Sequence, residues 1–268
     1  MSPVTPTKRL FSYFCALLCC LLVLPAARGA ESVAPVSAST AASIPPSSIV
    51  VGFVGGFVHD DDIRHVPVQL SRKLQEEYPE GVWIKTFENH HLRAAYRSVL
   101  QKLDTNQDGF LSDDEKKNAR IILYGHSWGA STAVTMARNL QREQIPVLLT
   151  VQVDSVQRKG QNDAVIPPNV AEAVNFYQPY GLIHGRARIT AADPSRTQIL
   201  GNYLFDYHKQ PVVCHQTTWY VRLLSKTHME SECDPHIWSR VEEMIRQRLS
   251  PGANAGLQPS GPRMESGH

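Results

Sequence analysis

Apolar positions along this chain change spacing repeatedly, from continuous runs to four-residue intervals and back, and each change marks an element. Ile49, Val50, Val51, Phe53 and Val54 form a continuous run from Ser48, the signature of a strand buried on both faces. Val66, Leu70, Leu74 and Tyr78 then recur every fourth residue with Pro67 near the start, which predicts an amphipathic helix. The cluster His59-Asp60-Asp61-Asp62 precedes it, placed to cap free N–H groups and complement the helix dipole or else to line the mouth of a site. Val82, Trp83, Ile84, Thr86 and Phe87 predict a second strand, and Leu92, Tyr96, Val99, Leu100 and Leu103 a second helix. A strand over Ile121–Tyr124 leads to a helix with Ala130, Ala133, Val134, Ala137 and Leu140 on its inner face. Those side chains are small enough to let it lie close against a sheet. Ile145, Val147, Leu148, Leu149, Val151 and Val153 predict a further strand that ends at Asp154.

From Ile166 to Tyr207 the pattern weakens. β-like stretches at Ala173–Tyr177, Ala187–Thr190 and Ile199–Phe205, broken by Pro, Gly and Asp, predict one or two additional strands. Phe176, Tyr177 and Tyr180 read first as core or surface aromatics and second as pocket walls. Trp219, Tyr220, Val221, Leu223 and Leu224 predict a last strand, Ser225–Asp234 a loop, and Pro235, Ile237, Trp238, Val241, Ile245 and Leu249 a final helix capped by Asp234.

The two ends of the chain change its charge balance. Lys8 and Arg9 precede an apolar run from Leu10 to Leu24, and Ala27-Arg28-Gly29 offers the small residues of a signal-peptidase site. The run is shorter than the roughly 20 residues a membrane span needs, so residues 1–29 are expected to be a cleaved secretory signal rather than a retained anchor. Residues 30–47, rich in Ala, Ser, Pro and Thr, read as a disordered linker, and 250–268 as a disordered tail. The folded domain is expected over 48–249. Of 27 basic residues, Lys8, Arg9 and Arg28 leave with the signal, so 24 remain against 25 acidic ones. A near-neutral chain has no electrostatic footprint for nucleic acid. Of five cysteines, Cys15, Cys19 and Cys20 leave as well. Cys214 and Cys233 remain, to form a disulfide in an oxidising compartment or to stay as two buried thiols.

The chemistry centres on Gly125-His126-Ser127-Trp128-Gly129. A serine in a tight strand-to-helix turn projects its hydroxyl clear of the backbone, and flanking glycines let that turn close. With a strand before it and a helix after it, this G-x-S-x-G resembles the nucleophile elbow of the α/β-hydrolase superfamily. The resemblance spans about residues 48–249 and implies an α/β fold with a mostly parallel central sheet flanked by helices. It also implies a Ser-acid-His triad in that chain order. Asp154 stands where thioesterase-like members keep the acid, directly after the strand that follows the nucleophile, although Asp154-Ser155 could also be only a turn. His184, His208, His215, His228 and His236 follow it, and His228, between the last predicted strand and helix, stands where the superfamily keeps its base. Gly55-Gly56 resembles the loop that supplies one oxyanion donor. That makes the backbone N–H of Phe57 and that of Trp128 the expected oxyanion hole, unless the glycine pair serves only a turn.

A second motif runs from Asp104 to Glu115 as DTNQDGFLSDDE and resembles the EF-hand calcium loop. Asp104, Asn106, Asp108, Ser112 and Glu115 would supply side-chain ligands, Phe110 its carbonyl, and Gly109 the sharp turn. Only Lys116, Lys117 and Asn118 separate Glu115 from the next strand. A full exiting helix therefore does not fit, and a structural Ca2+ site is expected rather than a sensor. No organic cofactor is implied. The sequence thus predicts a secreted or periplasmic, monomeric serine hydrolase acting on a carboxylic ester of a small molecule or lipid, with thioester or amide hydrolysis as variants. The rival is a non-catalytic calcium-binding surface or adhesion module on the same fold.

Overall fold

The computed structural model describes residues 48–214 and 219–250, with side chains from Ser225 onward in the second stretch. The expected signal, linker, tail beyond Ser250 and His215 lie outside the described residues. The elements are β1 (Ser48–Val54), α1 (Val66–Glu77), β2 (Val82–Glu88), α2 (Leu92–Leu103), α3 (Asp113–Lys117), β3 (Ile121–His126) and α4 (Trp128–Arg142). They continue with β4 (Val147–Val153), β5 (Val165–Ile166), β6 (Val170–Tyr177), β7 (Thr190–Ala191), β8 (Gln198–Leu204), α5 (Trp219–Cys233) and α6 (Pro235–Leu249).

The continuous apolar runs form the central sheet, in the order β2-β1-β3-β4-β6-β8 with every neighbouring pair parallel. Alternate side chains of a strand point to opposite faces, so each run builds two cores. Ile49, Val51, Phe53, Ile121 and Leu123 pack with Ala95 and Val99 of α2 and Ala133, Val134 and Ala137 of α4. Val50, Ile122, Tyr124, Leu149 and Val151 pack on the other face with Leu70 and Leu74 of α1 and Ile237, Trp238 and Val241 of α6. The result is an α/β fold of three layers. β1 connects outward to β2 on one side, while β3 continues on the other, so the strand order reverses between β1 and β3. Open parallel sheets carry their binding crevices at such a reversal, beyond the carboxyl ends of the strands. The loop after β1 and the turn after β3 meet there. Among the described residues, no helix is long and apolar enough to cross a membrane.

Three expectations change. Trp219–Leu224 is not a strand and Ser225–Cys233 is not a loop: both belong to α5, which bends at Ser225 (φ −147°, ψ 35°), and Asp234 caps α6 as expected. A short apolar run satisfies a buried strand and a buried helix equally, and periodicity alone does not separate them. The acidic cluster does not cap α1, whose N-cap is His65 with no side-chain cap and no acid in the first turn. Asp62 instead pairs with the Arg64 guanidinium, Nη2 to Oδ2 at 2.6 Å. Of the weak stretches, β6 and β8 extend the main sheet, whereas Ala187–Thr190 contributes only Thr190 to β7, which pairs with β5 in a separate two-stranded sheet. Cys214 and Cys233 are joined by a disulfide with their Cα atoms 5.5 Å apart.

α4 passes very close to β1. A Cβ on Gly129 would stand 2.2 Å from the Phe53 carbonyl oxygen, and one on Gly125 would stand 2.5 Å from the Gly129 carbonyl carbon. Both neighbours are backbone and cannot rotate away. Gly129→Ala and Gly125→Ala should each destabilise the fold by about 1–3 kcal/mol or more, read as a fall in the urea midpoint at constant slope. A midpoint unchanged in both variants contradicts this packing.

Candidate active site

Ser127 occupies the turn between β3 and α4 with φ 57° and ψ −126°. A non-glycine residue held there costs about 1–3 kcal/mol and persists only where its surroundings over-determine it. Here the serine N–H donates to Val153 of β4 at 3.0 Å, and its carbonyl accepts from Ala130 at 3.1 Å and Val156 at 3.3 Å. The turn is pinned on both sides, so Oγ projects from the sheet edge.

His228 Nε2 lies 2.9 Å from Ser127 Oγ, and His228 Nδ1 lies 2.7 Å from Asp154 Oδ2. Asp154 is fully buried and takes a left-handed conformation, φ 43°, at the end of β4. Its carboxylate is saturated. Oδ1 accepts from the Gly185 N–H at 2.7 Å and the Gln178 N–H at 3.2 Å, and Oδ2 accepts from Gln178 Nε2 at 2.9 Å as well as from the imidazole. A carboxylate with both oxygens doubly bonded has one orientation. Gly185 is required for this approach, since a Cβ there would stand 2.2 Å from Asp154 Oδ1. The serine, acid and base singled out in the sequence therefore converge, although His228 arrives on a helix rather than a loop. Of the other histidines, His184, His208 and His236 are exposed, and the His208 ring stacks on Tyr180 at 3.8 Å.

Phe57 and Trp128 flank the serine from the ends of β1 and β3. Their rings meet edge to face at 5.7 Å, and the Phe57 side chain is 89% exposed. The turn that carries Phe57 closes through Val58 N–H donating to Gly55 O at 3.3 Å. Gly55 comes so close to the nucleophile that a Cβ would stand 2.8 Å from the Ser127 Cβ. Trp128 is the first residue of α4, a position whose N–H has no intrahelical acceptor. Phe176 is core, stacked on Tyr203 at 5.5 Å.

A buried polar chain behind His228 has no counterpart in the sequence reading. The His126 ring stacks on the His228 ring at 4.7 Å, and its Nε2 lies 3.2 Å from Ser231 Oγ. Its Nδ1 lies 3.7 Å from the buried carboxylate of Glu232, whose other oxygen is 2.6 Å from His65 Nδ1. Burial pushes the His126 imidazole down to about 4. Burial also pulls Glu232 upward, but the hydrogen bond from His65 and the neighbouring imidazoles outweigh it and hold the carboxyl below its usual range. For His65 burial acts downward and is outweighed by the hydrogen bond and charge of Glu232, so its value is raised. His126 was in view as part of the serine motif. Glu232 and His65 carried no signal, because nothing in a sequence marks a charged residue as buried.

The acidic loop lies elsewhere. It joins α2 to α3 and enters β3 at its amino end, so the six residues of β3, about 20 Å, separate it from Ser127. Gly109 makes the turn at φ 84°. Asp104 accepts from the Asp108 and Gly109 N–H groups, and Asn106 also accepts from Asp108. Glu115 accepts from Thr105 through one oxygen and from Ser112 through the other, and these bonds hold its carboxyl down to about 2. The carboxylates of Asp104, Asp108 and Glu115 are not gathered within 4.8 Å of one another. The side-chain donors of the loop are hard oxygens, the ligand type that Ca2+ takes.

No family model matches this chain, and no curated relative matches it. Among solved structures, an acetylxylan esterase is 10% identical with a TM-score of 0.38, covering 76% of this chain and 99% of that chain. RedJ, with a PEG molecule bound in its active site, is 14% identical with a TM-score of 0.34, covering 78% of this chain and 96% of that chain. Likeness at that level carries no weight, and the fold stands on the strand order of this chain.

The neutral state of His126 makes stability pH-dependent. An unfolded imidazole takes its proton near 6.5 and the folded one near 4, so between those values the unfolded state binds more protons. Stability present above pH 6.5 should fall by about 2–3 kcal/mol as pH drops through that window, while the contribution of His65, complete below 6.5, stays constant. Urea midpoints measured from pH 6.5 to 4.5 should slope downward in the wild type and flatten in His126→Gln. Equal slopes would remove His126 as the cause.

Proposed function

We propose that this chain is a serine hydrolase of the α/β-hydrolase type that cleaves carboxylic esters. The observation that carries the reading is the continuous chain from Ser127 Oγ to His228 at 2.9 Å and from His228 to Asp154 at 2.7 Å, with the acid locked by Gln178 and Gly185. In this reading Ser127 Oγ attacks the acyl carbonyl while His228 Nε2 takes its proton. Asp154 holds the His228 Nδ1–H and stabilises the imidazolium that forms. The oxyanion is received by the N–H groups of Phe57 and Trp128. Collapse of the tetrahedral adduct expels the alkoxide, which His228 protonates, and water then releases the acid by the same route.

Exposed apolar groups around this edge favour an apolar substrate. Phe57 stands beside Trp128, and Leu182 is 81% exposed in the same short segment as Gly185 and as Ile183, whose carbonyl accepts from Gln178. An acyl chain or hydrophobic alcohol would cover this surface. The apolar run of residues 1–29, read as an export signal, supports an activity outside the cytosol, and we take the enzyme as a monomer.

A fluorophosphonate probe should label the wild type, fail on Ser127→Ala, and react slower by on the order of 10³–10⁴-fold with Asp154→Asn. Folded wild type that stays unlabelled would sink the enzyme reading and favour the calcium-binding surface module. Bound Ca2+ would be held by Asp104, Asn106, Asp108, Ser112, Glu115 and the Phe110 carbonyl, and would tie α2 to the start of β3 without touching the chemistry. Calorimetry on chelator-treated protein should show one Ca2+ site, lost in Glu115→Gln, with a higher melting temperature when filled. Absence of binding at millimolar Ca2+ contradicts this part alone.

A further inference from the structure

A second cluster, outside the triad and the acidic loop, gathers around Glu88 at the carboxyl end of β2. Glu88 Oε2 lies 2.9 Å from His90 Nε2 and 3.8 Å from His91 Nδ1, and Glu88 Oε1 lies 3.0 Å from His59 Nδ1. The ligand atoms of Glu88, His90 and His91 all fall within 4.8 Å of one another. We infer that Glu88, His90 and His91 form a binding site for a divalent transition-metal ion of the zinc class, with the fourth position left to water.

Three features support it. The donor set comes first, since imidazole with carboxylate suits zinc, whereas calcium and magnesium take oxygen alone. Spacing comes second. Zinc bonded at about 2.0–2.1 Å in a tetrahedron needs ligand atoms roughly 3.3 Å apart, and the distances from Glu88 bracket that value. Backbone rigidity comes third. Asn89, between two of the ligands, is buried, donates to the Gly56 carbonyl, and has its own carbonyl bonded by Thr132 Oγ1 and Arg158 Nη1. His91 N–H donates to the Glu88 carbonyl at 2.9 Å. The turn is therefore fixed from within, while the His90 and His91 side chains, 48% and 51% exposed, remain open to an arriving ion. A hydrogen-bonded carboxylate needs only one such imidazole, whereas a cation engages all of them at once.

His59, two residues beyond Phe57, bonds Glu88 Oε1 at 3.0 Å, so a metal held by Glu88 would clamp the loop after β1 to the end of β2 through that carboxylate. The clamp bears on the proposed oxyanion loop, but metal binding itself does not depend on the hydrolase reading. The test is zinc chloride titrated into tag-free full-length protein, with calcium in excess to fill the acidic loop and a chromophoric chelator as competitor. One zinc should bind with micromolar or tighter affinity. His90→Ala and His91→Ala, both at half-exposed positions that leave the fold intact, should each weaken it at least about tenfold, while His236→Ala should not change it. No stoichiometric zinc in the wild type, or undiminished binding in both cluster variants, would overturn the site whether or not Ser127 reacts with a fluorophosphonate.

Discussion

The close passage of α4 over β1 is the constraint on which the carboxyl edge of the sheet depends. Gly129 lies against the Phe53 carbonyl with no room for a Cβ, so the helix can begin immediately after β3 and directly behind the loop that follows β1. That proximity forces Ser127 into a left-handed conformation, and hydrogen bonds from β4 and the Val153–Val156 segment hold it there. Interiors are packed closely enough that such a strain is transmitted rather than absorbed. The serine hydroxyl, Gly55 and Trp128 are thereby set side by side where the strand order reverses.

Buried charge is the second organising force at this edge, and it is managed in two different ways. Asp154 is surrounded by donors, four in all, so its charge is compensated locally. Glu232 has His65 on one oxygen and His126 near the other, and burial keeps the latter imidazole neutral. A carboxylate without partners in this environment would cost several kcal/mol. The two acids approach the His228 ring from different sides, one through a hydrogen bond and one through the stacked ring of His126.

Much of the scaffold was legible from spacing alone. Strands buried on both faces must be apolar throughout, so β1, β3 and β4 stand out, and the small inner face of α4 follows from its approach to the sheet. Ser127 and Asp154 were also legible, because a G-x-S-x-G turn and the ends of strands are local features, whereas His228 was singled out from a strand-to-loop position that α5 replaces. The last element was not legible. Residues 219–224 fit a strand or a helix equally, and α5 carries His228 to Ser127 from a helical frame that no local pattern specifies. The role given to Asp60–Asp62 failed for a related reason: carboxylates before a helix suggest a cap, yet Asp62 bonds Arg64 and His65 takes the cap position.

By itself the sequence determined which segments are buried and where the chain turns tightly, since these follow from side-chain type and periodicity, while the resemblance of the serine turn implied which residues could act as nucleophile, acid and base. Only the tertiary structure decided which partners those residues have. Gln178 and Gly185 on Asp154, Glu232 between His65 and His126, and His59 beside Glu88 join positions separated by 24 to 167 residues. Such contacts depend on strand order and on the path of α5, and a one-dimensional pattern holds no distance between residues that meet only after the sheet has formed.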